Sequence, residues 1–214
     1  MKTTRNVYNF TNKRIPSMNY LLSLPEDNSA ESLGLIVMLH GAGERGDDFE
    51  KIPVHGIAKY VLGGLELPCI VLSPQCPKDW FWNSLTCELK ELIDSIVAEY
   101  NVDTDRITMT GLSMGGYGTW EMAMSYPGFF AAIAPICGGG ISWRVTAIGK
   151  TPVWAFHGDA DTVVPVNNSL EMCDRLSQNG GNVRLTLFHG VGHNSWESAY
   201  ETTKVIDWLT NAKK

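Results

Sequence analysis

The chain lacks the features that would mark a nucleic-acid binder, a metalloenzyme or a membrane protein. Its 17 Lys and Arg are outnumbered by 23 Asp and Glu, and a net charge of −6 offers no basic patch to a phosphate backbone or an anionic membrane surface. No apolar run is long enough to cross a bilayer. The polar start, Met1-Lys2-Thr3-Thr4-Arg5-Asn6, has no apolar stretch of the kind a secretory leader needs. A cytoplasmic location is the default expectation, although a secreted chain trimmed of its leader would read the same. Metal-ligand spacings are missing too: there is no H-x-H, H-E-x-x-H or C-x-x-C, so neither a metal nor a cofactor is expected. The five cysteines (Cys69, Cys76, Cys87, Cys137 and Cys173) are scattered and odd in number, which points to a reducing compartment. A Cys76–Cys87 bridge stays open. Repeats, low-complexity tracts and linkers are also absent, and 214 residues suit one domain, 1–214, with one sizeable core.

What is present is an alternation of two periodicities. Residues 6–10 and 18–24 read as an antiparallel pair of edge strands, with a turn at 25–29. Apolar runs at 33–40, 68–73, 105–112, 131–137, 152–157 and 183–188 read as strands buried on both faces. Between them lie helical patterns at 54–62, 84–100, 113–126, 167–179 and 196–212. Leu85, Leu89, Leu92, Ile93, Ile96, Val97 and Tyr100 give the clearest apolar stripe. Strands alternating with helices pair in parallel through right-handed crossovers, which predicts an open α/β sheet with helices on both faces. Ligands in such sheets bind beyond the carboxyl ends of the strands.

One of those ends is organised differently from the rest. The strand 105–112 passes into a helix through Gly111-Leu112-Ser113-Met114-Gly115, a G-x-S-x-G turn. Such a turn is sharp enough to strain the serine and lift its hydroxyl clear of the sheet, and the small glycines leave room for it. The following helix aims its first N–H groups at any oxyanion that develops there. A glycine-rich helix start with an ordinary N-cap serine is the bland alternative; a buried strand before and a helix after favour the elbow. Ser113 is therefore the candidate nucleophile, and the N–H of Met114 a candidate oxyanion donor. A nucleophilic serine needs a base, and the base a carboxylate. Downstream, the 157–165 loop offers Asp159 and Asp161, and the 189–194 loop offers His189 and His193.

At this point the motifs carry a resemblance. His157-Gly158-x-x-Asp161-x-x-Val164-Pro165 and Gly190-x-Gly192-His193, together with His40-Gly41-Ala42-Gly43 and Ser73-Pro74-Gln75, resemble the α/β-hydrolases. More narrowly, they are similar to the phospholipase/carboxylesterase branch and its peptidase-like relatives. The resemblance spans residues 33 to 196. It implies an α/β-hydrolase fold, a mostly parallel sheet of about seven or eight strands with helices on both faces and no cap domain. It also implies Ser113 as nucleophile, His193 as general base, Asp161 as its orienting acid, and Ala42 (or Gly43) as a second oxyanion donor beside Met114.

The remaining candidates have plainer readings. Asp159 is the rival acid, or a turn residue bonding nearby N–H groups. His189 reads as a packed or hydrogen-bonded structural residue, His40 and His157 as loop braces, His55 as solvated, and 44–48 as a solvated turn. In Trp80-Phe81-Trp82 we place a substrate contact at Trp82, against the alternative that these rings cap the core. Only Gly138 to Lys150 separates the strand after the elbow helix from the next one, too little for a helical cap. The expected activity is a serine carboxylesterase acting through an acyl-enzyme on a small-molecule ester, either short-chain or carbohydrate-linked (acetyl or feruloyl type). A lysophospholipase, an acyl-thioesterase or a prolyl-peptidase-like hydrolase is the alternative. A non-catalytic binding protein is a further one, and it would usually have lost part of this machinery. Neither nucleic acid nor membrane is an expected partner.

Overall fold

The structure, a computed structural model, describes residues 1–26 and 32–214. The expected turn at 25–29 therefore lies largely outside the described residues. Eight strands form one sheet: β1 (Lys2–Asn9), β2 (Ser17–Leu24), β3 (Leu33–Leu39), β4 (Cys69–Pro74), β5 (Val102–Leu112), β6 (Ala132–Ile136), β7 (Val153–Gly158) and β8 (Val183–Phe188). Their order is β1-β2-β4-β3-β5-β6-β7-β8. The β1–β2 and β2–β4 pairs are antiparallel and the others parallel.

Helices cover both faces, and the pleat explains how one strand serves two cores. Along β3, Leu35, Val37 and Leu39 point into one apolar cluster while Ile36 and Met38 point into the other. The first cluster packs against α2 (Thr86–Glu99), α3 (Met114–Ser125) and α4 (Asn167–Gln178); the second packs against α1 (Ile57–Leu62), α5 (Ser195–Thr202) and α6 (Val205–Asn211). Each fully buried Leu or Ile in these layers stabilises by roughly 1.5–3 kcal/mol. The two-sided burial is thus what turns continuous apolar runs into central strands. No cap domain interrupts the β6–β7 connection, which holds a 3-10 turn at Ser142–Ile148, anchored by Val145 and Ile148 in the core and by an Arg144–Glu121 ion pair at 2.7 Å.

Several boundaries differ from the sequence reading, and three of the differences have a local reason. The helix expected from 54 starts at Ile57, because Gly56 has φ +74° and a Cβ there would fall 1.8 Å from Met38 Cε. The single helix expected over 196–212 is two. Thr203 breaks it by donating its hydroxyl to Ala199 O (2.6 Å) and accepting from Val205 N (3.2 Å), so one side chain ends α5 and starts α6. The edge strand β1 begins at Lys2, four residues earlier than expected, because ladder bonds to β2 rather than apolar periodicity define it.

No helix among the described residues is long and apolar enough to cross a membrane. All five cysteines are free, so the open Cys76–Cys87 bridge is not formed.

Candidate active site

The turn after β5 has the strained shape that its sequence predicts. Ser113 sits at φ +53°, ψ −116°, a backbone conformation L-residues rarely adopt. It is held there by Ser113 N donating to Ile136 O at 2.9 Å and by α3 starting at the next residue. The flanking glycines are required by close approach. A Cβ on Gly111 would lie 2.3 Å from Gly115 O, and one on Gly115 would lie 2.1 Å from Leu39 O. The elbow can therefore press α3 against the end of β3 only if both positions lack side chains.

Two further loops converge on that hydroxyl. His193 Nε2 lies 2.9 Å from Ser113 Oγ, and His193 Nδ1 lies 2.7 Å from Asp161 Oδ2. Asp161 is buried, and its other oxygen accepts from Val163 N (2.8 Å) and Val164 N (2.9 Å). Burial works against its ionisation, but the His193 hydrogen bond and these two N–H groups outweigh it and hold the carboxyl below the ordinary carboxylate range. An ionised Asp161 fixes the proton of a neutral His193 on Nδ1 and leaves Nε2 free to accept from the serine. Trp196 packs edge-on against the His193 ring, 5.4 Å between centroids, and restricts its rotation.

The rival acid serves a different purpose. Asp159 accepts from Gly190 N (2.7 Å) and pairs with His189 Nδ1 (2.8 Å), joining the loop after β7 to the loop after β8. His189 is hydrogen-bonded, as one of its two readings has it, but it is not packed: its side chain is fully exposed. His157 braces its loop as expected, with Nδ1 2.7 Å from Ser169 Oγ and Nε2 2.9 Å from Val164 O.

His40 braces the loop after β3, and its network also assigns its tautomer. Cys76 N donates to Nε2 at 3.0 Å, so the proton is on Nδ1, which donates to Gly41 O at 2.6 Å. Burial pushes the His40 pKa down to about 4, which keeps the ring neutral. The Gly41 carbonyl and the Ala42 N–H belong to one trans peptide, so they point in opposite directions. Pinning the carbonyl on His40 aims the Ala42 N–H away from it. Ala42 opens the 3-10 turn Ala42–Glu44 and Met114 opens α3; as first residues, their N–H groups have no acceptor within their own helices.

Trp82 is a correction. Its side chain is fully buried, its indole N–H donates to His40 O at 2.9 Å, and it packs edge-on against the His40 ring at 5.0 Å. It braces the loop from beneath and cannot touch a substrate. Its neighbour Phe81, 52% exposed, faces outward instead, lining a cavity of about 310 Å³ with Asn83, Ser113, Met114 and Tyr117. Sequence reasoning missed Phe81, Asn83 and Tyr117. Tyr117 was within reach, since it lies four residues after Ser113 and so one helical turn on, on the same face. Its hydroxyl donates to Asn168 Oδ1 at 3.0 Å, fixing it as a wall.

Two other expectations also fail. Glu44 is buried rather than solvated, with carboxylate oxygens 3.8 Å from both His40 Nδ1 and His55 Nε2. His55 is likewise not free in solvent, lying between Glu44 and Trp196 at a ring separation of 5.2 Å.

Among the described residues, Cys137, Asp161 and His193 are the one group whose donor atoms lie close enough to hold a metal, within 4.8 Å of one another. Burial raises the Cys137 thiol to about 12, keeping it protonated and a poor ligand at neutral pH. The other two donors are already bonded to each other.

A sequence model of phospholipase/carboxylesterase proteins matches residues 26–209. The chain belongs to the phospholipase/carboxylesterase family. Its fold is that of the α/β-hydrolases: a crystal structure of a thermostable esterase superposes with a TM-score of 0.87 at 34% identity over 99% of this chain and 63% of that one. An acetyl xylan esterase from Aspergillus awamori shares the fold at a TM-score of 0.71 and 16% identity, covering 98% of this chain and 99% of that one. Among curated relatives, a poly(3-hydroxyalkanoate) depolymerase C of Paucimonas lemoignei is 43% identical over 102 residues, 48% of this chain and 24% of its own length. A probable feruloyl esterase C of Aspergillus terreus is 25% identical over 177 residues, 79% of this chain and 64% of its own. This family member thus spans from about a quarter to just under two thirds of the length of those two relatives.

Proposed function

We propose that the protein is a serine carboxylesterase that hydrolyses short-chain or carbohydrate-linked esters, of the acetyl or feruloyl type, through Ser113, His193 and Asp161. The observation that carries this is the unbroken hydrogen-bonded line from Ser113 Oγ through His193 to a buried Asp161. Ser113 Oγ attacks the ester carbonyl as His193 Nε2 takes its proton, and the carbonyl oxygen becomes an oxyanion that accepts from the Met114 and Ala42 N–H groups. Collapse of this intermediate breaks the carbon–oxygen bond to the alcohol, which leaves with the proton from His193. The acyl group is left on Ser113. A water molecule then gives its proton to His193 and attacks the acyl-enzyme, and collapse of the second intermediate releases the acid as His193 returns the proton to Ser113 Oγ. Throughout, Asp161 stays ionised and offsets the charge of the transient imidazolium.

The choice of a small or carbohydrate-linked ester is supported by the uncapped cleft and by a pocket of about 310 Å³, at the lower end of small-molecule sites. It is also supported by the feruloyl esterase relative and by the acetyl xylan esterase fold match. The test is a panel of nitrophenyl esters of rising acyl length, acetylated xylan, feruloyl esters and an acyl-thioester, with a fluorophosphonate probe to find the nucleophile. We expect labelling at Ser113 and a preference from acetyl to butyryl. A buried CH₂ contributes about 0.8 kcal/mol, so kcat/KM rising steadily to long chains would indicate a closed acyl tunnel and a lipase or lysophospholipase instead.

A further inference from the structure

A second cavity, of about 620 Å³, lies next to the pocket at Ser113 and shares Asn83 with it as a lining residue. Its other walls come from distant parts of the chain: Asn12, Lys13 and Arg14 on the β1–β2 connection, Ser84 just before α2, and Thr86, Cys87 and Glu88 in the first turn of α2. This wall is built rather than accidental. Arg14 forks onto the buried Glu88 carboxylate, with Nε to Oε1 at 3.1 Å and Nη2 to Oε2 at 2.8 Å. Lys13 Nζ lies 3.2 Å from Glu91 Oε2, and Arg14 also sits over the Trp80 ring at 5.8 Å.

The two compartments differ in chemistry. The Ser113 pocket presents Phe81, Met114 and Tyr117, whereas the larger cleft presents amides, hydroxyls, charged groups and the exposed Cys87 thiol. Its two cations are each matched by a glutamate, so they can donate hydrogen bonds while adding no net charge that would select an anion. The carboxamides of Asn12 and Asn83 are exposed and make no hydrogen bond among the described residues. We propose that this cleft binds the neutral, polyhydroxylated portion of the substrate, a glycosyl unit or short oligosaccharide, with Asn83 at the junction between it and the ester held at Ser113. The proposal rests on the ester-hydrolase reading of Ser113 for its place in the reaction, but not for its binding chemistry.

The experiment has two arms. In the first, xylotetraose carrying no ester is titrated into isotope-labelled protein, and amide signals are followed. We expect shifts at residues 12–14 and 83–88, and binding weakened about tenfold in the double variant Asn12→Gly/Lys13→Met, a loss readily resolved in a titration. Glycine keeps the left-handed backbone of residue 12, φ +56°, and methionine keeps most of the lysine stem, so the variant should fold. Shifts confined to other residues, no shifts, or full binding by the double variant overturn the subsite, whether or not the protein hydrolyses esters. In the second arm, kcat/KM is measured on nitrophenyl acetate and on acetylated xylotetraose. A fall on acetylated xylotetraose relative to nitrophenyl acetate in the double variant supports the subsite, and an equal fall on both substrates overturns it. Failure of the wild type on both esters instead removes the ester-hydrolase reading and leaves the first arm to decide the subsite.

Discussion

Two Asp–His pairs stand side by side on the same two loops, with nearly equal hydrogen bonds and opposite circumstances. Asp161 meets His193 at 2.7 Å and Asp159 meets His189 at 2.8 Å. Both carboxyls are held below the ordinary range, Asp159 chiefly by His189 and the Gly190 N–H. The inner carboxylate has no exposed side-chain surface, bonds two backbone N–H groups and hands its histidine on to a serine. The outer pair ends in water, with a fully exposed histidine that meets no further group. Hydrogen-bond length therefore does not distinguish a pair that leads on to a serine from one that ends in water. The difference lies in exclusion of water, which strengthens electrostatic interactions, and in a third residue aligned with the second.

The largest effect should come from removing that third residue. Ser113→Ala should lower kcat on nitrophenyl acetate by about a millionfold with an unchanged unfolding midpoint, because a serine, its base and its acid act as one unit. Undiminished turnover would exclude Ser113 as the nucleophile. Next, Asp161→Asn should cost about 10⁴-fold in kcat with substrate binding retained, since an amide favours the wrong imidazole tautomer. A loss no larger than that of Asp159→Asn would show that Asp161 does not orient the base.

The contrast between buried and exposed histidines can be sharpened by pH. The His40 pKa is about 4 in the folded state against 6.5 for the ordinary side chain, so between those values the unfolded chain binds a proton that the folded chain refuses. Stability should therefore fall on acidification through that window, by about 3 kcal/mol in all at roughly 1.4 kcal/mol per pH unit. Urea titrations from pH 7 to 4 should show this slope in the wild type and in His189→Gln, and a flatter one in His40→Gln. Below that window the depressed Asp161 carboxyl adds to the acid loss, because its contribution disappears as pH drops through its folded-state pKa.

Trp82→Phe keeps a ring in the core but removes the N–H that donates to His40 O. Loosening the loop that carries Ala42 should lower kcat by about tenfold, or roughly 1.4 kcal/mol of transition-state stabilisation, with KM nearly constant. A change in KM alone would return Trp82 to substrate contact. The smallest effect is expected from Asp159→Asn, within about twofold in kcat and with little change in the unfolding midpoint, as for an exposed pair. A loss rivalling that of Asp161→Asn would erase the distinction between the two pairs.

The sequence by itself determined the order of the elements and the position of the elbow. Those signals are local: apolar runs long enough to be central strands, and glycines at 111 and 115 around a serine. It also narrowed the acid and the base to two residues each, and the motif resemblance chose Asp161 and His193 from them. It could not say which face a side chain takes once three loops meet. Trp82 and Phe81 are adjacent and both aromatic, and only packing decided that one is buried under His40 while the other lines the pocket. Glu44 and His55 read as solvated because polar residues in short loops usually are; the Trp196 ring, supplied from far along the chain, packs against His55, and Glu44 is buried beside His40 and His55. Nor did the cleft formed by residues 12–14 and 83–88 exist in any local pattern, because its walls are separated by some seventy residues. Local patterns determine which elements form, through propensity and periodicity acting within a few residues. Burial and shared cavities are properties of surfaces that meet only after the sheet has closed its two cores, and these only the tertiary structure decided.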